Sequence, residues 1–250
     1  MVVLRFIGEQ RLRALSNELR YGLVIIMVMA AASTGLAKPT VIVHLPIEMR
    51  PRGLERRLNE AAPSVAFKVM GRHGDFDKAL KKEQADAVLS FFTTLEGARK
   101  YEARPTLQGH KGGQATEPYV LLSNRPINLS EGGTIGALTL LKRREMTAFV
   151  KGALGTSGKI KVRMAPKTED LLTLLQLNMV EAILVRQSLV SSFQGKSTEP
   201  LVVQKLSDVR FGLPALGIIS TQNEAEVVTA INGLGATIMG ILGVDTWKKL

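Results

Sequence analysis

Apolar and polar positions switch between two periods along most of the chain. "TVIVHLP" (40–46) is a β-branched run closed by Pro46, and "PRGLERRLNEAA" (51–62) then places Leu54, Leu58 and Ala61 at helical spacing. "SVAFKVMGR" (64–72) alternates as a strand, "DFDKALKKEQ" (75–84) opens a helix on Asp75, and "ADAVLSFF" (85–92) is the continuous apolar run of a buried strand. With "TLEGARKYE" (94–102) as a further helix the order is βαβαβ, which predicts a parallel sheet with helices on its faces.

The polar, Gly- and Pro-bearing "RPTLQGHKGGQATEP" (104–118) reads as a crossing into a second lobe that begins at "YVLLS" (119–123). There the order recurs: "TIGALTL" (134–140) as strand, "KRREMTAFVKGAL" (142–154) as helix, "KIKVRMA" (159–165) as strand, "TEDLLTLLQLNM" (168–179) as helix and "EAILVR" (181–186) as strand. A constant offset of 95 carries Val43 to Leu138, Phe67 to Val162, Asp75 to Asp170, Leu80 to Leu175 and Asp86 to Glu181 without a gap. The apolar "VRFGLPALGIIS" (209–220) returns the chain, and "QNEAEVVTAINGLGATIMGILGVDTWKKL" (222–250) keeps helical spacing through Val227, Val228, Ile231, Leu234 and Ile238. The expected organisation is one lobe from 38–117 plus 209–250 and a second from 118–208.

The N-terminus has a different grammar. Arg5, Arg11, Arg13 and Arg20 precede "LVIIMVMAAA" (23–32) and then "STGLA", with Gly35 and Ala37 where a signal peptidase reads. That order is the pattern of a secretory signal over 1–37, and an uncharged run of some 14 residues falls short of the ~20 that span a bilayer. Cleavage after Ala37 removes four Arg and two Glu, which lowers the formal charge from +11 to +9. On an exported chain with 5% aromatics and no basic-aromatic stripe, such charge points to a small anion or to solubility rather than to nucleic acid. There is no cysteine, hence no disulfide and no thiol chemistry.

In parallel α/β lobes the strand C-termini and helix N-termini meet along one edge, where backbone N–H groups face any ligand. That edge carries His44, Arg50, Arg72, His73, Ser90, Thr93 and Thr94 from the first lobe, and Thr139, Lys142, Arg143, Lys167, Thr168 and Arg186 from the second. Hydroxyl and guanidinium donors suit oxyanions. Each also has a plainer reading: Ser90 and Thr168 as caps, Arg143 as a solvated charge, His44 as a structural histidine. The three histidines have no tight metal-ligand spacing, and no nucleophile, metalloprotease or phosphate-loop motif occurs.

"ADAVL", "TIGALTLLKRREMTAFV", "KTEDLLTLLQLNMVEAILV" and "ILGVDTWKKL" resemble the phosphate, phosphite and phosphonate binding proteins of ABC transporters. The resemblance implies a type II periplasmic-binding-protein fold, each lobe a mainly parallel sheet flanked by helices. It further implies a periplasmic, non-enzymatic monomer without cofactor that captures a small anionic solute between its lobes for a membrane permease. A sensor or scaffold that engages another envelope protein is the alternative. Where that family carries small and aromatic residues and a Ser/Thr-rich turn, this chain reads "SFFTT" and "TLLKRRE".

Overall fold

A computed structural model describes residues 37–129, 132–155 and 159–250, so the predicted signal segment lies, up to residue 36, outside the described residues. Pro39–Leu250 is one compact unit. It contains two sheets whose parallel cores repeat the same unit. In the first, β1 (Thr40–His44) lies between β2 (Ala66–Val69) and β3 (Ala87–Phe91), both parallel to it. In the second, β6 (Gly133–Leu138) lies between β7 (Ile160–Ala165) and β8 (Ala182–Arg186), again parallel. The offset of 95 maps Ala87–Phe91 onto Ala182–Arg186 end to end, so the periodicity in the sequence is a structural repeat.

Helices fill the connections as the spacing predicts. α1 (Pro51–Ala61) begins on a proline, whose missing N–H costs nothing in a first turn, and buries Leu54 and Leu58. α2 (His73–Lys82) buries Phe76, Ala79 and Leu80, and α3 (Phe92–Ala98) buries Leu95 and Ala98. In the second lobe α4 (Arg143–Leu154) buries Met146 and Val150 and α5 (Thr168–Gln176) buries Leu171, Leu172 and Leu175, while the short α6 (Val190–Lys196), not predicted from the spacing, buries Phe193. Both faces of β1 and β3 are covered: Ile42 and Val88 join one core with α2 and α3, while Val41, Val43 and Leu89 join another with α1. This is why both strands read as continuous apolar runs.

Antiparallel strands complete each sheet and link the two. β4 (Arg104–His110) belongs to the first sheet, and the chain turns through Gly112 and Gly113, at φ 54° and 79°, into β5 (Thr116–Ser123) of the second. β9 (Val202–Gly212) pairs with β5, and after Leu213 alone β10 (Pro214–Ile218) enters the first sheet between β3 and β4. The sheet orders are β11-β4-β10-β3-β1-β2 and β7-β6-β8-β5-β9.

Two expectations change. The stretch from 104, read as the start of the crossing, is strand β4 of the first sheet: Pro105 sits where the register with β10 slips, and Gly109 leaves room that a Cβ would fill, 2.5 Å from Val244 and 2.8 Å from the Pro214 carbonyl. The C-terminal helical stretch is α7 (Glu224–Asn232), α8 (Ala236–Leu242) and then β11 (Thr246–Lys249), an edge strand paired with β4. Gly243 at φ 75° ends α8 in the left-handed conformation that glycine adopts freely. Among the described residues no single helix is long and apolar enough to cross a membrane.

Candidate functional site

The end of β8 carries Arg186, and its guanidinium is gripped from three sides. Nη1 donates to Glu117 Oε1 at 3.2 Å, and the ring centroids of Phe91 and Phe211 lie 5.0 and 5.1 Å from its Cζ. Phe91 closes β3 of the first sheet, whereas Glu117 and Phe211 sit at the crossings, so one side chain touches both lobes. Phe211 meets Phe91 edge-on at 4.5 Å and Tyr119 at 5.3 Å, which fixes the cage. Burial pushes the Tyr119 phenol well above its usual pKa, so it stays neutral. Arg186 Nε is buried with no hydrogen-bond partner.

Beside this cage is a cavity of about 360 Å³ walled by both lobes: Ile47, Glu48, Met49 and Lys111 from one side, Glu117, Thr168, Arg186, Ser188 and Leu189 from the other, and the 240–243 segment at the end of α8. Glu48, Lys111, Glu117 and Arg186 give it both signs of charge. A second cavity of about 280 Å³ shares the 47–49 turn and is lined by Arg50, Gly71, Lys167, Glu169 and Asp170, among others, at the starts of α1 and α5. Volumes of this order hold a ligand the size of an amino acid.

The other predicted residues have different employment. Ser90 Oγ donates to the His44 carbonyl at 2.6 Å, within the first lobe, and Thr139 Oγ1 to the Ala165 carbonyl at 3.1 Å, within the second. Two hydroxyls bridge the lobes: Thr94 Oγ1 donates to the Leu140 carbonyl at 3.0 Å, and Thr168 Oγ1 to the Pro46 carbonyl at 3.4 Å. Thr93 is half-buried on α3, and Arg143 is exposed at the start of α4. His44 is buried and lines neither cavity. Thus Thr168 and Arg186 share one cavity, Arg50 and Lys167 the other, and the remaining predicted residues lie outside both.

Ionic contacts also cross between lobes. Lys142 Nζ reaches Asp77 Oδ2 at 3.6 Å, and Glu48 Oε1 meets Lys196 Nζ at 3.1 Å and Ser192 Oγ at 3.3 Å. Burial works against the Asp77 charge, but hydrogen bonds from Tyr101, Lys81 and Lys100 outweigh it and hold the carboxyl well below the usual range. Among the described residues no group of three or more metal-ligating side chains comes together. Glu48, Lys111 and Glu117 were not among the sequence candidates: Glu117 lies in the segment read as a crossing and meets a partner 69 positions away.

No family model matches the sequence, and no curated protein matches it significantly. The chain is similar in structure to the arginine-, lysine-, histidine-binding protein ArtJ from Geobacillus stearothermophilus, with 14% identity, 82% of this chain and 93% of the other covered, and a TM-score of 0.55. It is also similar to the amino acid ABC transporter substrate-binding protein AbpA from Streptococcus pneumoniae bound to L-arginine, at 12% identity, 82% and 92% coverage and TM-score 0.52. A third likeness is to the periplasmic VFT2 domain of Bordetella pertussis BvgS, at 12% identity, 82% and 93% coverage and TM-score 0.50. At these identities the likeness defines the fold: an α/β, two-lobed architecture of the type II periplasmic binding proteins. Two of these neighbours are amino-acid binding proteins and the third is a periplasmic VFT2 domain, and none of the three is named as a phosphate or phosphonate binding protein.

Proposed function

We propose that this chain is an exported, non-enzymatic solute-binding protein that holds a small carboxylate-bearing solute in the cavity beside Arg186 and presents it to a membrane permease of the ABC type. The observation that carries the reading is the Arg186 guanidinium itself: caged by Phe91, Phe211 and Glu117, it stands pre-oriented at a cavity walled by both lobes. A guanidinium fork matches a carboxylate bidentately, and a cage that already restricts its rotamers lowers the entropy lost on binding.

Glu48 and Glu117 face the same space, which favours a solute that also carries a cationic group, an amino acid or a close analogue. A doubly charged phosphate or phosphonate, implied by the sequence resemblance, brings no cationic group to those two carboxylates and would compete with them for Arg186 and Lys196, their present ion-pair partners. Periplasmic localisation and a monomeric state belong to the same reading. Native mass spectrometry of protein purified without dialysis tests it: a co-purified solute of amino-acid mass supports it, and recovery of phosphate or a phosphonate instead overturns the ligand class.

A sensor or scaffold role is favoured by a different observation. The hydroxyls of Thr94 and Thr168 are spent on carbonyls across the cleft, and Lys142–Asp77 and Lys196–Glu48 tie the lobes through protein groups alone. If purified protein releases no solute and binds none from a panel of amino acids and organic acids, this second reading replaces the first.

A further inference from the structure

Lys111 stands at the crossing between the lobes, on a turn whose backbone is fixed at both corners. Its N–H donates to the Gln114 carbonyl at 2.9 Å, and the Gln114 N–H returns the bond at 3.0 Å. Between them Gly112 and Gly113, at φ 54° and 79°, make the tight two-residue turn that consecutive left-handed residues allow. The turn is also tied to the C-terminal segment: the Gly112 N–H donates to Asp245 Oδ2 at 2.8 Å, and the Asp245 N–H to the His110 carbonyl at 2.7 Å. From this anchored corner the Lys111 side chain reaches the wall of the cavity of about 360 Å³ that holds Arg186.

The four charged side chains that line that cavity are Glu48, Lys111, Glu117 and Arg186, and three of them already have partners. Glu117 accepts from Arg186 Nη1 at 3.2 Å and from the Ser188 N–H at 3.4 Å. Glu48 Oε1 accepts from Lys196 Nζ at 3.1 Å and from Ser192 Oγ at 3.3 Å. Asp245, the acid that braces the turn, spends Oδ2 on the Gly112 N–H. Among the described residues no carboxylate comes within ion-pair distance of the Lys111 ammonium. The cavity therefore holds one unanswered positive charge and no unanswered negative one. Much of the remaining wall is apolar, from Ile47, Met49, Leu189, Ile241 and Leu242.

We propose that Lys111 is a specificity-determining residue that selects, at the Arg186 site, an amino acid carrying a second carboxylate on its side chain. One carboxylate meets the guanidinium, the second meets the Lys111 ammonium, and the apolar wall covers the methylenes between them. The α-ammonium shares Glu48 and Glu117, as that of any amino acid does, so it does not discriminate among side chains. An acidic amino acid brings a net charge of −1, which cancels the charge the site leaves over. A neutral one leaves Lys111 without a counterion, and a basic one places a cation beside it where both carboxylates are already engaged. The inference rests on the reading of this cavity as the solute site and sharpens its ligand class.

The probes are glutamate, aspartate, their amides glutamine and asparagine, and arginine, each titrated into purified protein by calorimetry. Each acid and its amide are close in size and shape and differ by one charge. The expected result is that an acid binds about tenfold more tightly than its own amide, and arginine more weakly than either. Lys111 is exposed, so its replacement leaves the core intact. Lys111→Met should bring the ratio of acid to amide affinity close to one, and Lys111→Arg, which keeps the charge, should retain the preference. An amide that binds the parent as tightly as its acid, or a Lys111→Met variant that keeps the parent's ratio, overturns the inference. Binding of no amino acid at all overturns the solute-site reading and this inference with it. Binding that depends on Arg186 but ignores side-chain charge overturns this inference alone.

Discussion

Arg186 and Glu117 meet at 3.2 Å with side-chain exposures of only 11% and 16%, at the point where the two crossing strands pass between the lobes. A pair this well covered is costly to break from one side, since the remaining charge is left without its counterion. Glu117→Gln should therefore destabilise the protein by about 2 kcal/mol in urea unfolding. Glu117→Gln combined with Arg186→Met should cost less than the sum of the two single changes. Additive costs would mean that the pair does not act as a unit.

The bridge from Thr94 Oγ1 to the Leu140 carbonyl, buried at 3.0 Å, joins the lobes directly. Thr94→Val keeps the shape and removes the donor, leaving the carbonyl unpaired. A loss of about 1 kcal/mol is expected by thermal or urea unfolding. No measurable loss would show that the lobes are held by packing without this bond.

Gly109 is required by the close approach of Val244 and the Pro214 carbonyl. Gly109→Ala pushes a methyl into both and should cost about 1–3 kcal/mol. A stability within error of the parent would mean that β11 and the β10 entry shift without penalty.

Stability should also fall on acidification below pH 6.5. His73 binds its proton near 6.5 in the unfolded chain but only at about 4 in the folded one, so protons favour the unfolded state between those values and the penalty levels off below about 4. Because His73 is only half-buried, the penalty is put at about 1–2 kcal/mol rather than the full shift. Asp77 acts in the same direction at lower pH: its depressed pKa stabilises the fold above the ordinary carboxylate range, and that contribution is lost as pH falls through it. H73Q should flatten the upper part of the profile and leave the lower part unchanged.

The repeat was legible because buried parallel strands write themselves as apolar runs: Ala87–Phe91 and Ala182–Arg186, 95 positions apart, are both such strands. β4 was not, because its Pro105 and Gly109 are tolerated by a register slip and a close approach that only the folded partner strands reveal. β11 was hidden because Val244 and Trp247 continue an apolar spacing begun in α8, and the left-handed Gly243 that ends the helix is one of several glycines there. Of the site, Arg186 was visible as the residue closing a predicted strand. Glu117, Phe91 and Phe211 were not, since their role depends on crossings that bring positions 91, 117, 186 and 211 to one point.

The central claim is that a small carboxylate-bearing solute binds beside Arg186, and isothermal titration calorimetry tests it most directly. Purified protein is titrated with individual amino acids, small organic acids and phosphate, and the responding solute is then titrated into Arg186→Ala. The account predicts saturable binding of at least one amino acid or carboxylate that weakens by about a hundredfold or more in Arg186→Ala, the loss expected for a charged, desolvated hydrogen-bond partner. Undiminished binding in that variant, or a response to phosphate alone, would contradict it.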